Sequence, residues 1–110
     1  MRVKTLGDTA IIIQEKQETD SFIEAFKLDY GTLKHLHLIV DLSGFNQVKP
    51  SELLKFLSLS RTHKQANRSF VIACPGVDLD LIPDELIIVP SLIEAHDIVE
   101  MESIERDLGL

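Results

Sequence analysis

Short apolar runs alternate along this chain with segments of helical periodicity. Two β-prone runs, at 3–6 and 10–13, flank Gly7-Asp8, and this spacing predicts a β-hairpin. Three later runs are apolar and rich in β-branched residues, which is typical of strands buried on both faces; they lie at 36–42, 70–74 and 86–89. Between and after them, helical periodicity predicts helices at about 20–30, 50–64 and 91–108.

The helix boundaries carry local signals. Ser-x-x-Glu capping boxes begin at Ser21 and Ser91, ahead of the first and last helices. Pro50 suits the first position of the middle helix, and Gly31 is positioned to end the first one. A helical turn at 78–82 stops at the following proline.

The resulting order, ββαβαβ(α)βα, indicates an α/β domain. Strands that are separated by helices need crossover connections, which are right-handed and give parallel pairing. We therefore predict a single domain over 1–110, with a small, mixed, mostly parallel sheet that is flanked by helices and carries the hairpin at one edge.

Composition favours an intracellular domain. Hydrophobic residues make up 45% of the 110 residues, enough for a core without disulfides, and Cys74 is the one cysteine. The N-terminus leads into alternation rather than a long apolar run, and no run approaches the roughly 20 residues of a membrane helix. We expect a cytoplasmic protein with no signal peptide and no membrane contact.

Negative charge is concentrated near the C-terminus. Residues 77–110 hold ten of the eighteen acidic residues and a single arginine, within a net charge of −7. Such a chain repels phosphate backbones, so direct nucleic-acid binding is not expected. The acidic residues of the last helix predict a solvated face or, alternatively, a docking surface for a basic partner. The one basic stretch, at 61–68, is interpreted as a solvated turn or, alternatively, as a contact for an anion or a partner.

Candidate catalytic groups do not form a convincing set. His35, His37 and Asp41 share parity along a strand, but Ile39 interrupts them. In a two-metal hydrolase motif of the form His-x-His-x-Asp-His, Ile39 and Val40 stand where the last two ligands are needed. Cys74 has no His or Asp beside it in sequence and is expected to be a buried, inert thiol. We predict no catalytic residues, no metal and no cofactor.

The segment LIVDLSGFNQVKPSELLKFL, at 38–57, resembles the central strand, loop and helix of the STAS domain, the family of sulfate transporters and anti-sigma-factor antagonists. The flanking hairpin, SFVIAC and IIVPSLIEAHDIV agree with it, so the resemblance covers nearly the whole chain. It implies a STAS-like fold and a non-catalytic regulatory protein-interaction module of a bacterial signalling system. The implied partner is a kinase-like anti-sigma factor.

The resemblance also implies an interaction face, the 43–52 loop with the helix behind it. Ser43 and Gly44 begin the loop. Ser51 falls where the antagonists carry a phosphorylatable serine. Lys49 stands in place of the family's aspartate, and Glu52 replaces a glycine, so the sequence departs from the family at both neighbours of the Pro50-Ser51 pair.

Two other roles stay open. The ending EAHDIVEMESIERDLG is similar to that of short chains labelled ribonuclease Z, which suggests an accessory protein for a tRNA 3′-end processing nuclease. A small anion- or nucleotide-binding domain is the third possibility, because helix N-termini at the ends of parallel strands bind anions.

Overall fold

The computed structural model describes residues 1–15, 18–45 and 47–109. Its strands are β1 (Arg2–Leu6), β2 (Thr9–Ile13), β3 (His37–Asp41), β4 (Phe70–Ala73) and β5 (Ile87–Val89). Its helices are α1 (Thr19–Leu33), α2 (Pro50–Leu53), α3 (Leu57–Gln65) and α4 (Leu92–Asp107), with 3-10 turns at Leu54–Phe56 and Leu79–Leu81. The element order is the predicted one.

The five strands form one sheet in the order β1-β2-β3-β4-β5. β1 pairs with β2 antiparallel, and the other three pairs are parallel. Gly7 opens the hairpin turn with a φ of 61°, a backbone conformation that glycine adopts without strain. The predicted mixed, mostly parallel sheet with a hairpin at one edge is therefore confirmed.

One face of the sheet is covered by α1, α2 and α3. Alternate strand residues, such as Leu38 and Val40, point into this layer together with aromatic side chains from the helices. The ring of Phe22 lies 6.0 Å from that of Phe26 and 5.9 Å from that of Phe56. Phe26 in turn stacks on Phe70 of β4 at 6.2 Å. These aromatic contacts join α1, the 3-10 turn at Leu54–Phe56 and the sheet into one core.

The opposite face of the sheet is covered by α4. Ala95 and Val99 pack on a second cluster that includes Ile39, Val71 and Ala73 of the strands. Ser91 caps this helix, since its side chain accepts a hydrogen bond from the Glu94 amide at 3.3 Å. The N-cap role predicted for Ser91 is thus confirmed. β3 and β4 are buried on both faces as their sequences predicted.

Two predicted boundaries of α1 are wrong. The helix begins at Thr19 with Glu18 as its N-cap, so Ser21 lies inside the first turn and caps nothing. Gly31 does not end the helix, which continues to Leu33. Burial of Leu33 against the core explains the extension, because packing outweighs the helix propensity that glycine lacks.

The middle helix and the basic stretch also differ from expectation. The predicted helix at 50–64 is interrupted by the 3-10 turn before α3, which continues to Gln65.

Residues 61–65 of the basic stretch belong to α3 and are therefore helical rather than a turn. Arg61 pairs with Glu85 at 2.5 Å, and the Lys64 ammonium donates to the Glu85 carbonyl. His63 is fully buried, contrary to the solvated interpretation.

His63 links three elements of the core in its neutral form. Its Nε2 lies 2.7 Å from the Leu36 carbonyl, which can only accept, so Nε2 carries the proton. Its Nδ1, 2.8 Å from the Tyr30 hydroxyl, then accepts a hydrogen bond. Burial lowers the pKa of His63 because it disfavours the imidazolium, although the bond to Leu36 opposes this shift.

Among the described residues, none of the helices is long and apolar enough to cross a membrane.

The aromatic core is expected to dominate stability. Phe26 is 0% exposed, and Phe26→Ala should lower the free energy of unfolding by about 3–5 kcal/mol, because it leaves a cavity between α1 and β4. Leu28, on the same helix, is 86% exposed, and Leu28→Ala should change it by less than about 0.5 kcal/mol. Urea denaturation followed by circular dichroism measures both. Similar losses for the two variants would contradict this core assignment.

Stability should fall on mild acidification because of His63. The folded chain resists protonation of this ring, so the unfolded chain binds more protons once the pH drops below about 6.5, the ordinary histidine pKa. The contribution of the neutral His63 ring to the free energy of unfolding is fully present above that pH and is lost as the pH falls below it. We expect His63→Gln, although less stable overall, to show a shallower dependence of unfolding free energy on pH between 7 and about 5.5.

The control is His35→Gln, because His35 is exposed. Its pH dependence should match that of the wild type. An unchanged slope in His63→Gln would refute the assignment of the buried neutral ring.

Candidate functional site

The predicted site residues lie at the carboxyl end of β3, the central strand of the sheet. We call residues 43–52 the loop face; Asn46, within it, lies outside the described residues. Ser43 and Gly44 form an exposed turn directly after β3, and Lys49 is the N-cap of α2. In parallel sheets this end of the strands is where ligands and partners commonly bind.

The carboxylate of Asp41 holds the start of the loop face. Its Oδ1 accepts hydrogen bonds from the Ser43 amide at 2.9 Å and from the Ser43 hydroxyl at 2.6 Å. The Phe45 amide donates to the Leu42 carbonyl at 3.1 Å and closes the turn. An aspartate that bonds the backbone two residues on is a common turn-forming device. Ser43 therefore has a structural hydrogen bond that fixes the turn's shape.

The N-terminus of α2 presents Ser51 to solvent. Pro50 occupies the first helical position, where its missing N–H costs nothing. The amides of Glu52 and Leu53 both donate to the Lys49 carbonyl, at 2.9 and 3.2 Å. Leu53 is fully buried and anchors the helix, so Ser51 is held on the outer side of the first turn.

A network of charges joins the loop face to α1. The ammonium of Lys55 lies 3.2 Å from the Glu52 carboxylate and 3.0 Å from that of Asp20. A hydrogen bond with Thr19, and then Lys55, lower the pKa of Glu52 because both stabilise its ionised form. Glu52 thus acts as a link between α2 and the first turn of α1.

Two surface depressions border the turn. The first, of about 480 Å³, lies between α1 and α2; its lining includes Phe45, Val48, Lys49 and Glu52. The second, of about 670 Å³, lies towards β1; its lining includes Arg2, Ser43, Gly44 and Phe45. Phe45 lines both hollows, and Ser43 and Gly44 line the second; we call the 43–45 turn the ridge.

The charge of the first depression does not favour an anion. Its lining places the carboxylates of Glu18, Asp20 and Glu52 against the ammonium groups of Lys49 and Lys55. A phosphate would therefore meet three repulsive groups and two attractive ones. The mixed polar and apolar lining fits a protein surface better than a nucleotide.

The candidate metal ligands are separated in the structure. His35 lies in the turn before β3 and is exposed, so its expected place on the strand is wrong. His37 is buried; its Nδ1 accepts from the Ser69 amide at 3.0 Å, and burial lowers its pKa despite the nearby Asp8. Asp41, at the far end of β3, is bound to Ser43. In the described ranges, no three His, Cys, Asp or Glu side chains are grouped to hold a metal.

Cys74 lies just after β4 and is buried, as predicted. Burial raises the pKa of its thiol, since the thiolate is disfavoured in an apolar environment. The thiol is therefore poorly suited to nucleophilic chemistry at neutral pH.

Sequence reasoning missed the supporting residues of the loop face. Lys55 follows Glu52 by three residues, a spacing that signals an ion pair on a helix. Thr19 and Asp20 gave no such signal, because they meet Glu52 and Lys55 only through tertiary packing.

No protein-family model and no curated protein matches the sequence. Among solved structures, a chain of the stressosome, a signal integration and transduction hub, matches with a TM-score of 0.67 and 14% identity, over 93% of this chain and 98% of that chain. A serine-to-glutamate variant of RsbS from Moorella thermoacetica matches with a TM-score of 0.64 and 15% identity, over 92% and 97% of the two chains. Likeness at this level of identity shows the architecture. The chain has the STAS fold that the segment 38–57 predicted.

Proposed function

We propose that this chain is a non-catalytic protein-interaction module of a bacterial cytoplasmic signalling system and that its loop face contacts the partner. The observation that carries the proposal is the 43–45 ridge on a STAS fold: Ser43 and Gly44 are exposed, and Phe45 lines the hollows on both sides. A ridge with adjacent hollows offers shape complementarity to a protein surface.

The polar groups of the loop face support a binding role. Asp41 bonds Ser43, and Glu52 pairs with Lys55, so these carboxylates fix the shape of the surface. A surface that is already ordered loses little conformational entropy on binding. For Glu52 the same engagement argues against a role in acid–base catalysis, since the hydrogen bond with Thr19 and the contact with Lys55 lower its pKa and favour its ionised form.

The solved structures support the regulatory context. One is a chain of a signal-transduction hub, and this chain shares its fold over nearly its full length. A kinase-like partner is therefore the candidate that we favour. The roles beside a tRNA 3′-end processing nuclease and as a small anion-binding domain remain predictions of the sequence, and identification of the partner distinguishes them.

The ridge can be tested with a substitution that the fold tolerates. A Cβ added at Gly44 would meet nothing within 4 Å, so Gly44→Arg should fold normally and obstruct docking. We expect at least tenfold weaker partner binding, about 1.4 kcal/mol. The matched control is Gly31→Arg on α1, where an added Cβ would also meet nothing within 4 Å.

The measurement has two steps. Affinity capture from native lysate with quantitative mass spectrometry compares wild type, Gly44→Arg and Gly31→Arg. Calorimetric titration with the captured partner then gives the affinities. A partner that binds wild type and Gly44→Arg equally well would refute docking through the loop face.

Binding should be independent of phosphorylation at Ser51. Pro50 has no N–H, and the amides of Glu52 and Leu53 already donate to Lys49, so a phosphate finds few free donors. The Glu52 carboxylate would also repel it, although Lys49 offers a counter-charge. We expect near-equal partner affinities for wild type, Ser51→Ala and Ser51→Asp. A phosphorylation switch would be established instead if Ser51→Asp alone lost partner affinity tenfold and Ser51 were found phosphorylated in native cells.

A further inference from the structure

The outward side of α4 carries large apolar side chains. Ile93, Met101, Ile104 and Leu108 are 76%, 55%, 52% and 68% exposed. Met101, Ile104 and Leu108 follow one another at spacings of three and four residues, which places them on one side of a helix. The helical geometry reaches Leu108, whose amide donates to the Ile104 carbonyl at 3.0 Å. We call these four residues the outer stripe.

The outer stripe lies opposite the buried side of α4. At about 3.6 residues per turn, its members fall across the helix from Ala95 and Val99, which pack on the sheet. Burial within the chain therefore does not explain why these positions are apolar. Exposed apolar side chains that are grouped on one side of a helix commonly mark interaction surfaces.

Carboxylates border the outer stripe on both sides. By helical periodicity, Glu94 and Glu105 flank it on one side, Glu100 and Asp107 flank it on the other, and Asp97 lies within it. All five residues are exposed. The outward surface of α4 is thus an apolar line between two rows of negative charge.

No basic side chain of α4 offsets that charge. Arg106, the one arginine or lysine in 92–107, is turned towards the sheet. Its Nη2 donates to the Ser69 hydroxyl at 3.0 Å and lies 3.9 Å from Glu102. The Ser69 hydroxyl in turn donates to Glu102 at 2.5 Å. This cluster fixes α4 against β4 and leaves the outward carboxylates uncompensated.

We propose that the outer stripe of α4 binds a basic amphipathic helix of a protein partner. The apolar side of the partner helix would cover Met101 and Ile104, and its lysine and arginine side chains would meet the flanking carboxylates. A second copy of this chain would bring like charges together, and an anionic membrane would be repelled. Because α4 covers the opposite face of the sheet from α1, α2 and α3, this surface is separate from the loop face.

The test uses a defined probe. A labelled peptide of about three heptads, with leucine at positions a and d and lysine at e and g, is titrated with the full chain by fluorescence anisotropy. We expect saturable binding in a 1:1 ratio that weakens as salt is added. The matched peptide with glutamate in place of lysine should not bind. Equal binding of both peptides would disprove the charge complementarity.

The apolar contribution is tested by Met101→Ser/Ile104→Ser. Both side chains are more than half exposed, so the variant should fold, as circular dichroism can verify. We expect the affinity for the basic peptide to fall about tenfold or more. Leu28→Ser, an equivalent change on α1, should leave it unchanged. If both variants bind like the wild type, the outer stripe is not the site.

The charge contribution is tested by Glu100→Lys/Glu105→Lys. Its control, Glu24→Lys/Asp29→Lys, makes the same change in net charge at exposed positions of α1. The α4 variant should weaken binding of the basic peptide about tenfold, and the α1 control should weaken it far less. Equal losses would indicate non-specific attraction and refute the proposal. The proposal would also be refuted if the wild type sediments as a dimer that Ile104→Ser dissociates. Preferential binding to anionic vesicles would refute it as well.

Gly44→Arg should leave peptide binding intact. The outcome for the outer stripe is thereby independent of the outcome for the loop face.

Discussion

The architecture depends on the burial of β3 and β4 on both faces. Every residue of these two strands is buried, so each face of the sheet must be covered by helices. On one side the aromatic rings of Phe22, Phe26 and Phe56 pack against the sheet, and on the other the small side chains of α4 lie close to it. Parallel strands allow this arrangement because each crossover returns the chain across a face.

The same constraint produces the loop face. A buried strand must end in a turn that satisfies its last polar groups, and Asp41 does so by accepting two hydrogen bonds from Ser43. The next helix must then bury Leu53, which turns Ser51 outward. The ridge and its hollows therefore follow from the connection between β3 and α2.

The two proposed surfaces differ in how they are supported. The loop face is braced from several elements, since Lys55 of the 3-10 turn binds both Glu52 and Asp20. The outer stripe belongs to one helix, which is held by Ala95 and Val99 and by the Ser69 cluster. A domain with two separate surfaces of this kind can contact two partners at once.

The sequence by itself determined the element order and the mixed sheet, because apolar periodicity and β-branched runs are local properties of the chain. The STAS fold was predicted by the resemblance of the segment 38–57 to that family. It also placed the second helix cap, since Ser91 and Glu94 act within one turn. Other local signals failed where packing was stronger: Gly31 remains helical because Leu33 is buried beyond it.

Only the tertiary structure decided which polar residues meet. The sequence placed His63 in a solvated basic stretch. The fold buries it between Tyr30 and Leu36, both of which are distant from His63 in sequence. The contact of Lys55 with Asp20 has the same origin. Such pairs depend on how helices cross a sheet, and the spacing of residues along one chain carries no record of distances between separate elements.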